Sequence, residues 1–418
     1  MRIICICVVT LAAIGSVYVG QGSGSFVIRD VRVFDGERAL EHQNVVVQNG
    51  TISQVTQRNV NVTGTEVIDG AGDTLLPGLF DAHVHVAEDV DGSLRQALVF
   101  GITTEIDMFN AGERLQRLKK AEAADGVGLA SVRTAGVGAS APGGHPSQMG
   151  GPPFPTITKS EDAEAFVEAR IAEGSDFIKI IYDNNAEFGE NRRLPALDKA
   201  TMKAVIDAAH KRHKLVVVHI LTEEQARDAI TAGADGLAHL FIGDTVSSDF
   251  GRFAASHHVF VIPTLTTLHM ICGKSPGPSI LADAYLEPYI DAEWRSLLQV
   301  PANPRQNHLC SATTGAMRQL IAARVPILAG TDSPVPGNVY GASVHVELEL
   351  LVKAGLTRSQ ALAAATSLPA KIFGLNDRGS IQQGRRADLL LVQGDPTQDI
   401  RATRRIVDVW KRGSRVQR

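Results

Sequence analysis

Residues 76–86 read Leu-Pro-Gly-Leu-Phe-Asp-Ala-His-Val-His-Val, and His83 and His85 in this run decide how the rest of the chain is to be read. Side chains alternate along a strand, so histidines two apart project from one face and reach one metal ion together. Imidazole suits zinc and its borderline neighbours. The run follows Asp69-Gly-Ala-Gly-Asp73, so it reads as a strand entered from a tight loop. Alone, the pair is equally compatible with two hydrogen-bonded strand histidines. The decision rests on what answers it downstream.

From about 75 to 377, short apolar strands alternate with helical patterns. Strands are expected at 79–86, 102–108, 129–135, 177–182, 215–221, 236–240, 259–266 and 327–333, and helices at 159–173, 198–212, 222–232 and 310–324 among others. This alternation argues for an α/β fold with a parallel sheet covered by helices. Eight strands favour closure as a (β/α)8 TIM-like barrel, whose chemistry collects at the C-terminal strand ends. The connection 267–309, rich in Pro and Gly and holding Trp294, is expected to overhang that mouth as a lid.

Outside the barrel the pattern changes. From Phe26 to about Thr74 it is strand and hairpin, with Gln48-Asn49-Gly50-Thr51 as a two-residue turn. The tail repeats it in Ala387-Asp-Leu-Leu-Leu-Val392 and Ile406-Val-Asp-Val-Trp410. The expected division is a leader at 1–25, a small β-sandwich built from 26–74 and 378–418, and the barrel at 75–377.

The polar residue that ends each strand then carries the chemistry. Strand one ends in His83 and His85, strand five in His219, strand six in His239 and strand eight in Asp332, while Lys179 lies among apolar neighbours in strand four. Each alone is explained by a hydrogen-bonded strand end. Together they suggest two metal ions, one on His83, His85 and Asp332, the other on His219 and His239. Holding two dications about 3.5–4 Å apart needs a bridging anion. A buried neutral lysine can react with carbon dioxide to give a carbamate, which is such a bridge and removes an ammonium that is costly to bury.

These motifs, with Phe177-Ile-Lys-Ile180, Gly233-Ala-Asp-Gly-Leu-Ala-His239, Gly330-Thr-Asp-Ser333 and Gly379-Ser-Ile-Gln-Gln-Gly-Arg-Arg-Ala-Asp-Leu-Leu-Leu-Val392, resemble the amidohydrolase superfamily over nearly the whole chain after the leader. The similarity is to the branch of imidazolonepropionase-like proteins, prolidase-like carboxypeptidases and ochratoxin-hydrolysing amidases. It implies a barrel with a flanking β-sandwich and two divalent ions, expected to be zinc, on His83, His85, His219, His239, Asp332 and a carboxylated Lys179. It also implies a metal-bridging hydroxide as nucleophile, with Asp332 as the catalytic proton shuttle. The expected reaction is hydrolysis of an amide in a peptide or N-acyl amino acid. Carbamates, ureas, lactones and phosphate esters stay open. A mononuclear deaminase fits less well, because Thr222 stands where those relatives place a glutamate, and a non-catalytic scaffold fits poorly with every ligand position filled.

His145, in Ala141-Pro-Gly-Gly-His-Pro146, matches a Gly-Gly-His that faces substrate in related branches, which implies a catalytic contact to the substrate carbonyl or carboxylate, while a solvent-exposed loop histidine stays equally open. The chain departs from the commoner pattern in the following Pro146-Ser-Gln-Met149 and in Tyr182-Asp-Asn-Asn185, where many relatives have a Gly-rich turn. Both departures fall on loops facing the substrate. His345 reads as structural, as do His210, His213, His257 and His258 near helix ends.

Composition sets the outer limits. The 418 residues are 44% hydrophobic and 21% charged with net charge -4, which gives no reason to expect nucleic acid. Arg2 followed by the apolar run Ile3 to Val19 and the small residues Gly20 to Ser25 reads as an export signal, or as a membrane anchor if uncleaved. A periplasmic or secreted protein is therefore expected. The expected partner is a small molecule or short peptide, with transient membrane contact through the leader and a homo-oligomeric state both open. Cys5 and Cys7 lie in the leader. Cys272 and Cys310 can pair in an oxidising compartment, although two free buried thiols are the simpler expectation. Asn49 and Asn61 begin glycosylation sequons.

Overall fold

The computed structural model describes residues 24–61, 64–303 and 310–418. The expected leader at 1–25 lies almost wholly outside the described residues, and the Asn61 sequon runs out of them. Among the described residues no helix is long and apolar enough to cross a membrane.

Strands from both chain ends form one sheet. They are β1 Phe26–Phe34, β2 Ala39–Gln48, β3 Thr51–Thr56, β4 Glu66–Asp69 and β5 Asp73–Pro77, then, from the other end of the chain, β13 Leu389–Gln393, β14 Ile406–Lys411 and β15 Ser414–Arg415. The order is β15-β14-β13-β5-β1-β2-β3, with β4 also pairing β1. The turn between β2 and β3 needs two residues with positive φ, and Asn49 (50°) and Gly50 (75°) supply them. Leu389 and Leu391 of β13 face a core with Phe26, Ile28, Val45 and Trp410, whereas Leu390 and Val392 face the rest of the protein. Phe26 stacks on Trp410 at 5.3 Å. Their strands are three ladder steps apart, roughly 14 Å in a flat sheet, so this sheet curls over its own core. The strand pairing is continuous through all eight strands.

The middle of the chain carries β6 Leu79–Val84, β7 Ile102–Asp107, β8 Ser131–Thr134, β9 Ile178–Ile181, β10 Val216–His219, β11 Gly236–Ala238 and β12 Phe260–Ile262. All pair in parallel, in two sheets of order β6-β7-β8 and β12-β11-β10-β9. Helices separate them where the sequence pattern placed them, among them Lys199–His210, Glu223–Ala232 and Ser311–Ala322. The helix Glu223–Ala232 starts in a capping box, with Thr222 Oγ1 accepting from Gln225 N at 3.0 Å. Thr222 is thus a helix cap.

The eighth expected strand, 327–333, is not a regular strand. It makes single parallel bridges, Ile327 to Val261 and Ser333 to Val84, and lies between β12 and β6 through Leu328 N to Val261 O and Ala82 N to Ala329 O. Two features mark this segment. Gly330 is pressed against its neighbours so closely that a Cβ would lie 2.5 Å from Ile262 Cγ2, and Asp332 adopts a left-handed φ of 65°. At the opposite seam, Ala139 bridges to Ile180 and Asp176 N donates to Thr134 O, joining β8 to β9.

One expectation about the cysteines near the ends of the 267–309 connection is corrected. Cys272 and Cys310 are not free thiols but a disulfide with Cα atoms 5.7 Å apart. Cys272 caps the helix Leu265–Ile271 and Cys310 precedes the helix Ser311–Ala322, so the fold delivers the sulfurs to one another across 38 positions. Trp294, in the same connection, is buried. It is 5% exposed and packs edge-on against Tyr340 at 5.0 Å.

Candidate functional site

His83, His239 and Asp332 are the tightest group of possible metal ligands among the described residues, their ligand atoms all within 4.8 Å of one another. His83 comes from β6, His239 directly follows β11, and Asp332 sits on the irregular 327–333 segment. His239 (φ 69°) and Asp332 (φ 65°) both hold left-handed backbone, a conformation that costs a non-glycine residue and turns the side chain off the strand line. Asp332 Oδ1 lies 3.2 Å from His83 Nε2 and 3.1 Å from His85 Nε2. His239 Nδ1 is tied to Thr264 Oγ1 at 2.7 Å, which leaves Nε2 for the site.

The other expected residues gather around this group. The His219 ring centroid is 4.5 Å from that of His239 and 4.9 Å from that of His145. His83 and His85 are 5.3 Å apart, and His83 and His239 4.6 Å. Lys179 pairs in register with Val217 of β10, two residues before His219. The sequence divided these residues between two ions as His83, His85, Asp332 and His219, His239. In the fold His239 stands against both sets.

Several buried polar atoms here form no well-aligned hydrogen bond: both ring nitrogens of His83 (Nε2 despite Asp332 Oδ1 at 3.2 Å), Nε2 of His219, Nζ of Lys179 and Oδ2 of Asp183. Buried polar groups are normally satisfied, so converging nitrogens without such bonds are what a cation site leaves when described by its protein atoms alone. Burial holds the amine of Lys179 down to about 7 against the opposing pull of Asp332 and Asp107. Burial likewise drives His83 down to about 3, so its imidazole is neutral and able to ligate. Burial pushes the Asp332 carboxyl upward, yet His83 and His239 outweigh it and keep Asp332 ionised.

A surrounding layer of residues that the sequence reading missed holds these groups. Asp81, on the same face of β6 as His83, accepts from His83 N at 3.2 Å, Thr331 N at 2.9 Å and Thr331 Oγ1 at 2.5 Å, and so ties β6 to the segment that carries Asp332. Asp107 accepts from Val86 N, Asn110 Nδ2 and Thr134 Oγ1, at 2.9, 2.6 and 2.6 Å, and fixes the chain just past His85. Glu347 accepts from Leu265 N and Thr266 N at 2.9 and 2.8 Å beside Thr264. Strand alternation from His83 points to Asp81; the other two contacts are tertiary and have no local signal.

His145 stands beside His219 at the edge of the site and is partly buried. Burial first, then the neighbouring His219, lowers it to about 3, so it is neutral. Its Nδ1 meets the Gln148 amide nitrogen at 2.6 Å. An amide NH2 only donates, so Nδ1 accepts and Nε2 carries the hydrogen. Beside Lys179 the wall is apolar. A Cβ on Gly138 would lie 3.3 Å from both Lys179 Cγ and Phe109 Cδ2, and Phe109 packs edge-to-face on Phe154 at 5.1 Å. His345 is buried away from the site, with its nitrogens 3.1 Å from Thr403 Oγ1 and 3.1 Å from Phe100 O. His257 Nδ1 reaches Phe253 O at 2.9 Å, and His210 pairs with Asp235 at 2.9 Å.

The model of the amidohydrolase family matches residues 74–416. The chain belongs to the amidohydrolase family. An amidohydrolase of this kind is a metal-dependent hydrolase of amide and related C–N bonds. Among its relatives, an uncharacterised protein of Mycobacterium tuberculosis is 26% identical over 365 residues, 80% of this chain and 84% of its own. Two of the solved structures that share the fold illustrate the likeness. A Xaa-Pro dipeptidase with bound methionine has a TM-score of 0.75 at 21% identity, covering 94% of this chain and 100% of that one. Phenylurea hydrolase B has a TM-score of 0.75 at 20% identity, covering 94% and 97%.

Proposed function

We propose that this amidohydrolase is an exported enzyme that uses two divalent ions to hydrolyse the amide bond of a dipeptide or N-acyl amino acid, in a (β/α)8 barrel flanked by a β-sandwich. The observation that carries the reading is the buried, unpartnered Lys179 Nζ beside the His83, His239 and Asp332 cluster. An amine held near neutrality in that position is ready to become the anionic bridge between two ions. The bridges made by 327–333 and Ala139 support closure of the two parallel sheets, and the curled terminal sheet supports the sandwich. The disulfide, stable in oxidising compartments, supports export.

His83, His85 and Asp332 would hold one ion, His219 and His239 the other, with carboxylated Lys179 shared. Zinc suits this imidazole-rich, oxygen-bridged donor set. When bound, such ions supply Lewis acidity that makes water nucleophilic at neutral pH and polarises the scissile carbonyl. Asp332, ionised and beside the reacting centre, takes the proton of the attacking water and returns it to the leaving nitrogen. His145 donates its Nε2 hydrogen to the substrate carbonyl oxygen. Phe109 and Phe154 supply an apolar wall for a side chain next to the scissile bond.

The test is amine release from a panel of dipeptides and N-acyl amino acids by purified protein reconstituted with zinc. Turnover lost in Asp332→Asn supports the reading. A metal-loaded protein that releases no amine from any member overturns it. A second reading, hydrolysis of a urea or carbamate in the same site, draws on the likeness to phenylurea hydrolase B and is separated by product analysis.

A further inference from the structure

The turn after Lys179 is Tyr182-Asp-Asn-Asn185, and Asp183 is the member that faces the site. Its side chain is 1% exposed, and Oδ2 has no hydrogen-bond partner. The nearest opposite atom is Nε2 of His219, at 3.7 Å, which is itself buried and unpartnered. The distance is longer than a formed hydrogen bond, yet the two atoms face one another with no other partner. Oδ1 is anchored, accepting from Asn185 N at 2.9 Å and approached by Gln225 Nε2 at 3.5 Å. Gln225 is in turn fixed, because its Oε1 accepts from Leu221 N at 2.8 Å and Thr222 N at 3.1 Å just beyond β10. The carboxylate is therefore built into the turn after the strand of Lys179 and aimed at the histidine of the next strand.

We propose that Asp183 is the positioning residue of His219: it accepts the Nε2–H, selects the tautomer whose Nδ1 is free, and presents Nδ1 to a divalent cation. A ligating histidine commonly gives its second nitrogen to a carboxylate or hydroxyl, which fixes the ring and raises its basicity. His239 shows the same arrangement through the opposite nitrogen, Nδ1 engaged by Thr264 and Nε2 left over. The two histidines assigned to the second ion thus each have one nitrogen facing a built partner. Asp183 bonds no cation and touches no substrate in this role.

The inference rests on the two-ion reading above, and its test separates the two. Metal-free wild type, Asp183→Ala, Asp183→Asn and Asp183→Glu are titrated with Co2+ and followed by visible absorption, with bound metal counted after gel filtration. Wild type is expected to take two Co2+ in two phases. The alanine variant is expected to keep the first phase and to bind the second ion roughly 10- to 100-fold more weakly. Asparagine, which keeps an acceptor without the charge, falls between, and glutamate recovers part of the loss. Wild type that binds one Co2+ defeats the two-ion reading itself. Two-phase wild type with an unchanged second phase in both alanine and asparagine variants overturns the role of Asp183. So does a rise in KM confined to substrates with a free amine, with metal binding intact, which would make Asp183 a substrate contact. If the alanine variant fails to fold, the asparagine and glutamate variants decide alone.

Discussion

The phenol of Tyr340 donates to the backbone carbonyl of His85 at 2.7 Å. The same oxygen accepts from Ala87 N at 2.9 Å, and the ring carries Trp294. The long 267–309 connection and the backbone that aims His85 therefore lean on one side chain. Tyr340→Phe leaves a carbonyl and an N–H without their partner, and a loss of about 1–3 kcal/mol is expected in urea denaturation. Turnover is expected to fall with it, because His85 is no longer held. Unchanged stability and unchanged kcat would remove Tyr340 from the support of the site.

Asp332 is asked to move a proton in both halves of the reaction. Asp332→Asn keeps the shape and loses the base, so kcat is expected to drop by roughly 10²- to 10⁴-fold. Metal analysis run alongside separates lost proton transfer from lost metal.

Lys179 must be a neutral amine to react with carbon dioxide, and burial brings it to about 7. Metal-free protein reconstituted in carbon-dioxide-depleted buffer is expected to stay poorly active until bicarbonate is added. The rate of recovery is expected to rise between pH 6 and pH 8 as the amine loses its proton. Recovery indifferent to bicarbonate would mean that the lysine is unmodified.

Glu105 is fully buried, and neither carboxylate oxygen has a hydrogen-bond partner. Burial first, then Asp81 and Asp107, hold its pKa well above 4.5. The folded chain thus keeps a proton that the unfolded chain releases above 4.5. Stability is therefore lost as pH rises through that range, by about 1.4 kcal/mol per unit until the folded pKa is reached. Glu105→Gln does not titrate, so its stability relative to wild type is expected to improve as pH rises above 4.5. Parallel pH profiles in chemical denaturation would refute this.

The Cys272–Cys310 disulfide closes a loop of 38 residues, for which chain entropy gives about 4 kcal/mol. Cys272→Ser, or the wild type under reductant, is expected to melt at a lower temperature. Equal melting with and without reductant would show that the cross-link does not contribute.

How far the sequence could be read follows from what each residue depends on. His83 and His85 were legible because strand alternation is local, and His219 because it ends an apolar run. Asp332 was legible as the polar residue ending an apolar run, but its segment was not legible as an irregular one: the left-handed backbone of Asp332 depends on the strands on either side of it. The disulfide was unreadable for the same reason, since its geometry exists only once two helices have packed. Asp107 and Glu347 hold backbone N–H groups far from them in sequence, and no period or spacing announces such contacts. Asp183 stood in a departure from a familiar turn, a departure whose meaning needed the neighbouring strand.

The last consequence concerns synthesis. β13 pairs β5 from Leu389↔Pro77 to Gln393↔Asp73, so a strand made early waits for one made about three hundred residues later. A nascent chain therefore carries an open ladder edge on β5 through most of its translation. Such edges invite pairing between molecules. Loss of the last thirty residues would leave that edge bare permanently, and insoluble aggregates, more than diminished turnover, would be the mark of C-terminal truncation.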